Sequence, residues 1–160
     1  MAMVTIDEID LTILRLLQED AKRTAKEIAA RLGLTPSPVY ERIRRLERTG
    51  YILNYVAVLD KRKFPHLAVT AFCQVSMRYH ANDYIEAFEQ RVAALPQVQA
   101  CYHMAGRVDF LLKVHAASLE DYHDFIRHHL SKIENIGELN STFVLKEIKR
   151  ETGLRIDPSE

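Results

Sequence analysis

The chain has 160 residues, 48% hydrophobic and 28% charged, with 5 glycines and 5 prolines; this is globular usage with room for two compact halves, and it argues against disorder. Its 22 basic and 22 acidic residues cancel, so nucleic-acid binding requires a local basic face rather than a basic chain. Cys73 and Cys101 stand far apart without companion ligand spacing, which fits a reducing cytosol better than a disulfide scaffold or zinc finger. The first ten residues do not read as a secretory signal and no apolar run reaches membrane-spanning length, so the expected location is the cytoplasm, with no membrane partner.

In chain order, Thr5 with Glu8 reads as a capping box, followed by Ile6, Ile9, Ile13, Leu16 and Leu17 at helical spacing up to Glu19. A second box, Thr24 with Glu27, opens a short helix with Ile28, Ala29 and Leu32 on one side, closed by Gly33. Leu34 is expected to wedge between this helix and the next, which Thr35 caps. Pro36 and Pro38 fall in the first turn of that third helix, where a missing N–H costs nothing, and Val39, Ile43 and Leu46 make its buried stripe up to Gly50. Residues 51–59 read as a short strand pair.

The charged, proline-containing stretch 60–66 separates two sequence textures and is the expected linker. Beyond it the pattern predicts a strand over 67–79, a helix over 82–95, strands over 98–104 and 108–115, a helix from Ser118 to about Ile133, and a strand over 139–149. That order, β-α-β-β-α-β, is the ferredoxin-like arrangement. The expected class is α+β: a helix-turn-helix over 1–50, a strand hairpin and linker over 51–66, a ferredoxin-like effector-binding and oligomerisation domain over 67–150, and a tail over 151–160.

At 100° per residue, with Val39 turned to the core, Ser37, Glu41, Arg44 and Arg48 lie on the opposite face of the third helix, with Tyr40 and Arg45 at its flanks. The second helix of a helix-turn-helix enters the major groove with its N-terminal residues near base edges. Ser37, Pro38, Tyr40 and Glu41 are therefore candidates to face the bases of double-stranded DNA, Arg44, Arg45 and Arg48 to grip phosphates, which adds affinity without sequence information, and Thr35 at the cap is a further DNA-binding candidate. An Arg-rich helix face is otherwise merely solvated. Here a capped helix, a glycine turn and a proline-started helix occur in the order a reader requires.

Ile6-Asp7-Glu8-Ile9-Asp10-Leu11-Thr12-Ile13-Leu14, Leu32-Gly33-Leu34-Thr35-Pro36-Ser37-Pro38-Val39 and Arg42-Ile43-Arg44-Arg45-Leu46-Glu47 resemble the leucine-responsive regulator and asparagine regulator (Lrp/AsnC) family. The second half is similar too, through residues 104–112 and the closing Ser141-Thr142-Phe143-Val144-Leu145-Lys146-Glu147-Ile148-Lys149, so the resemblance covers nearly the whole chain. It implies a feast-or-famine transcription factor: a winged helix-turn-helix joined by a β linker to a βαββαβ domain, pairing into dimers and often octamers, and sensing amino acids. It also implies an effector bound between dimers around the hairpin Met104-Ala105-Gly106-Arg107-Val108-Asp109, with Ser141 and Thr142 adding hydroxyls. Turn N–H groups can hold an α-carboxylate while Asp109 accepts from an α-ammonium.

The family pattern Gly-Asp-aromatic-Asp reads here Gly106-Arg107-Val108-Asp109. Arg107 either meets an extra carboxylate on the ligand or forms a salt bridge across the assembly with no ligand at all. His123, His128, His129 and Glu120 share a helix, yet His128 lies about 140° around from His123, so no metal site is expected, nor a cofactor beyond the effector. Small ferredoxin-like domains also serve as enzymes, but no nucleophile elbow, phosphate-cradling loop or paired-carboxylate motif is present, so no enzymatic activity is expected. A ligand-independent DNA-organising protein would use the same two domains.

Overall fold

The computed structural model describes residues 6–156, and these divide into two compact units. One holds the residues up to Val58 together with those from Lys149 onward, and the other runs Leu59–Ile148. Among the described residues no helix is long and apolar enough to cross a membrane.

In the first unit, α1 (Glu8–Glu19), α2 (Ala25–Leu32) and α3 (Pro36–Arg48) close on Ile13, Leu16, Leu17, Ile28, Ala29, Val39 and Leu46. The cap of α1 differs from expectation. Thr5 lies outside the described residues; the cap is Asp7, whose carboxylate accepts from the Asp10 N–H at 2.9 Å while the Asp10 carboxylate accepts from the Asp7 N–H at 3.1 Å. An acidic pair thus does the work of the Ser/Thr and Glu pair sought in the sequence. The Thr24 and Glu27 box forms at α2, and Gly33 follows in the left-handed region at φ 67, the conformation that favours glycine there. Thr35 occupies the cap position of α3 without a side-chain hydrogen bond. Leu34 is exposed rather than wedged, because Ile28, Ala29 and Val39 already fill the angle between α2 and α3.

Residues 51–60 form no ladder within the chain, so the expected strand pair and wing hairpin are absent from the described residues of a single copy. Ile52 packs on the helical core, whereas Leu53 is 92% exposed and Val56, Val58 and Leu59 also face out. The alternation that suggested strands is real, but strands need hydrogen-bonding neighbours and the chain supplies none here. The tail, in contrast, is not free: Leu154 exchanges two backbone bonds with the Gln18 amide, and Arg15 donates twice to the Ile156 carbonyl at 3.1 and 3.2 Å.

The second unit is one antiparallel sheet, ordered β2-β3-β1-β4, from β1 (Val69–Met77), β2 (Val98–His103), β3 (Phe110–Ala116) and β4 (Ile136–Phe143). Helices α4 (Asn82–Ala93) and α5 (Leu119–His128) complete the βαββαβ order. Two short 3-10 turns, Lys61–Lys63 and Pro65–Leu67, stand where the linker was expected. Alternate residues of the two central strands turn inward: Ala71, Cys73, Val75 and Met77 from β1, and Phe110, Leu112, Val114 and Ala116 from β3. They meet Phe88 and Val92 of α4 and Tyr122 and Phe125 of α5, with the Phe88 and Phe110 rings 4.5 Å apart. β4 ends at Phe143, six residues before the expected end, because the chain beyond Val144 has no strand to pair with and leaves Leu145 fully exposed.

Fully buried Phe110 is the sheet's main anchor, so Phe110→Ala should lower the unfolding free energy by about 3–5 kcal/mol, read from chemical denaturation monitored on the sheet signal.

Candidate nucleic-acid interface and effector site

The reading helix is held from beneath by charge. Asp10 of α1 is fully buried, and its carboxylate accepts from Arg42 Nη1 at 2.8 Å and from Arg45 Nη2. Arg42 also reaches the Asp7 carboxylate at 2.7 Å. Two acids on α1 and two arginines on α3 thus form a neutral cluster, which a buried carboxylate requires. The Asp10 N–H, with help from Arg42, holds the Asp7 carboxyl below its ordinary value, and both acids raise Arg42.

The cluster divides the arginines of α3 into two sets. Arg42 and Arg45 are turned toward α1. Arg44 is 62% exposed, lies 5.8 Å over the Tyr40 ring and stands 3.7 Å from Glu47, while Arg48 is exposed and has no partner among the described residues. Ser37, Pro38, Tyr40 and Glu41 are exposed on the same side, and Thr35 is exposed just ahead of it. The structure therefore brings Ser37, Tyr40, Glu41, Arg44 and Arg48 to one open face opposite Val39 and Leu46, and sets Arg45 apart from it through the bond to Asp10. Tyr55 returns to the same helix, its hydroxyl donating to Glu47 at 3.0 Å, and burial pushes that phenol up to about 12.

In the second unit, Met104–Asp109 joins β2 to β3. Asp109 is already committed: its carboxylate accepts from the Met77 N–H at 2.7 Å and pairs with His80 Nε2 at 2.9 Å, while its own N–H donates to the Val75 carbonyl. It secures the hairpin to the end of β1. Gly106 has no left-handed φ, and a side chain there would meet nothing, so its backbone does not demand glycine. Met104, Ala105 and Arg107 are exposed at the turn.

Ser141 and Thr142 cannot serve one site on one face, because adjacent strand residues point to opposite sides. Ser141 faces the helices, where its hydroxyl shares a 2.6 Å hydrogen bond with the Tyr122 hydroxyl, a phenol whose pKa burial raises. Thr142 pairs with Phe72 on the open face of the sheet. On that face a cleft of about 190 Å³ is lined by Gln74, Ser76, Arg107, Val108, Glu138 and Asn140. Of these, the hairpin motif in the sequence marks Arg107 and Val108, whereas Gln74, Ser76, Glu138 and Asn140 are unremarkable polar residues until β1 and β4 are placed side by side. Asp10 and Arg42 were also missed; an acid inside an apolar helical stripe was the available signal. Among the described residues no group of three or more metal-ligating side chains converges.

Residues 6–47 match the AsnC-type helix-turn-helix domain and residues 70–154 match the Lrp/AsnC ligand binding domain. The chain is 36% identical over 146 residues to the Bkd operon transcriptional regulator of Pseudomonas aeruginosa, covering 91% of this chain and 95% of that one. It is 34% identical over 146 residues to the leucine-responsive regulatory protein of Rhizobium meliloti, covering 91% and 93%. The crystal structure of a transcriptional regulator from Neisseria meningitidis in complex with L-Met superposes with a TM-score of 0.87 at 34% identity, covering 94% of this chain and 96% of that one.

Removing the Asp10 charge leaves two arginines facing a buried site, so Asp10→Asn should cost the first unit about 3–5 kcal/mol, measured by denaturation, and weaken DNA binding with it. Acid should act in the same direction. Asp7 and Glu27, both lowered in the folded chain, contribute stability at neutral pH that is lost as pH falls below about 4 through their folded values. Asp7→Asn should flatten the acid limb of a melting temperature against pH profile.

Proposed function

Because this chain belongs to the Lrp/AsnC family of transcriptional regulators, we propose that it binds specific DNA sites in the cytoplasm through the open face of α3, and that a bound amino acid shifts that binding. The observation that carries the reading is the sorting of the arginines: Asp10 draws Arg42 and Arg45 inward, leaving Arg44 and Arg48 on the exposed side, within reach of phosphates, beside Ser37, Tyr40 and Glu41 at the end that approaches base edges. The amino-acid effector is supported by the match to a ligand binding domain and by the L-Met complex of the Neisseria protein. The protein acts by binding and not by catalysis.

DNA readers of this kind work in symmetric pairs, and the unpaired apolar run around Leu53, Val56 and Val58 supports self-association into a dimer, with octamers as the larger assembly. A two-fold dimer meets half-sites separated by about one helical turn or a multiple of it.

Arg44→Ala should weaken binding to every DNA sequence and reduce the slope of log affinity against log salt by about 1, whereas Glu41→Ala should relax discrimination between sites. Footprinting with and without each amino acid tests the regulator itself. The expected result is a phased, two-fold footprint that one class of amino acid alters; an unphased coating of DNA indifferent to all of them overturns the reading.

A further inference from the structure

We propose that Tyr55, from the segment that follows α3, is a positioning residue of the DNA grip: its hydroxyl anchors Glu47, and Glu47 together with Tyr40 holds the guanidinium of Arg44 in place on the open face of the reading helix. The proposal rests on the reading of Arg44 as a phosphate contact. It extends that surface to a residue beyond the matched helix-turn-helix, which ends at residue 47.

The way α3 ends brings Tyr55 there. Gly50 is left-handed at φ 80, its N–H donates to the Glu47 carbonyl at 3.1 Å, and the Tyr51 N–H donates to the Leu46 carbonyl at 3.0 Å. These are the paired bonds that close a helix at a glycine and turn the chain back on it. Ile52 then packs on the helical core, and the Asn54 side chain accepts from the Tyr55 N–H at 2.8 Å. Tyr55 thus arrives beside Glu47 and donates to its Oε1 at 3.0 Å. Burial holds that phenol far above neutral pH, so it remains a donor.

Tyr40, Arg44 and Glu47 are spaced by four and three residues, so they stand in a row along one side of α3. The guanidinium lies 5.8 Å over the Tyr40 ring and 3.7 Å from Glu47 Oε2, while Tyr55 occupies Oε1. With one carboxylate oxygen tied to the phenol, the other is kept on the guanidinium side. An acid on a surface that meets phosphates otherwise repels them, and here its charge is directed at Arg44 instead.

An exposed pair such as Arg44 and Glu47 adds little to folding stability, so the arrangement bears on binding. A free arginine gives up much rotamer freedom when it settles on a phosphate; one already held between a ring and an acid gives up less. Arg48 supplies the internal contrast. It is exposed on the same helix, with neither a ring nor an ion-pair partner among the described residues, so Tyr55 has no route to it.

The test is a set of double-mutant cycles on the full chain, with affinity for a mixed-sequence DNA duplex read by fluorescence anisotropy. Tyr55→Phe keeps the ring and removes only the donor, so its thermal melt should match the parent. The expected result is binding weakened about threefold by Tyr55→Phe in the parent and in Arg48→Ala, and no further change in Arg44→Ala or Glu47→Ala. Unchanged or tighter binding by Tyr55→Phe overturns the proposal. So does a loss that persists in full in Arg44→Ala, which would mean that the hydroxyl touches DNA itself or serves folding alone. If Arg44→Ala leaves binding unchanged, the phosphate-contact reading falls and the positioning role falls with it.

Discussion

A carboxylate with no access to water must be neutralised where it sits, and in this chain that requirement organises the DNA reader. Asp10 meets it by drawing Arg42 and Arg45 of α3 onto α1 and by sharing a reciprocal cap with Asp7. The consequence reaches beyond stability. The buried stripe of Val39 and Leu46 and the two charge-assisted hydrogen bonds beside it together set the rotation of α3. The face left open is then a definite set of side chains. Four arginines close together in sequence acquire two different surroundings because one acid lies beneath two of them.

In the second unit, the constraint is the period of two along a strand. The two helices cover one side of the sheet, so the inward residues of β1 and β3 are uniformly apolar and the outward ones are free to be chemical. Ser141 and Thr142 illustrate how sharply this divides neighbours: one is locked to Tyr122 among the helices and the other stands on the open face. The same rule gathers Gln74, Ser76, Glu138 and Asn140 from strands more than sixty residues apart into one polar cleft beside Arg107.

The chain passes between its two units twice, after Val58 and again after Ile148, and the returning tail is fastened to α1 through Gln18 and Arg15. Charged and polar residues at the end of a chain give no hint of such docking. The partners are backbone carbonyls and an N–H, which every sequence possesses.

By itself the sequence determined the three helices of the reader, the βαββαβ order, the family, and the face of α3 that turns outward, since these follow from local periodicity, capping chemistry and turn residues. Element ends were legible only to within a few residues. β4 was placed too late, and residues 51–59 carry a strand's pattern without a strand's partner, because pairing is a property of what lies alongside and not of the segment. Tertiary structure alone decided which arginines are spent internally, that Asp109 and Ser141 are already engaged, and that the uncommitted polar groups converge at Glu138 and Arg107. Each of these depends on distances between residues remote in the chain, which burial and strand register determine and local sequence pattern cannot.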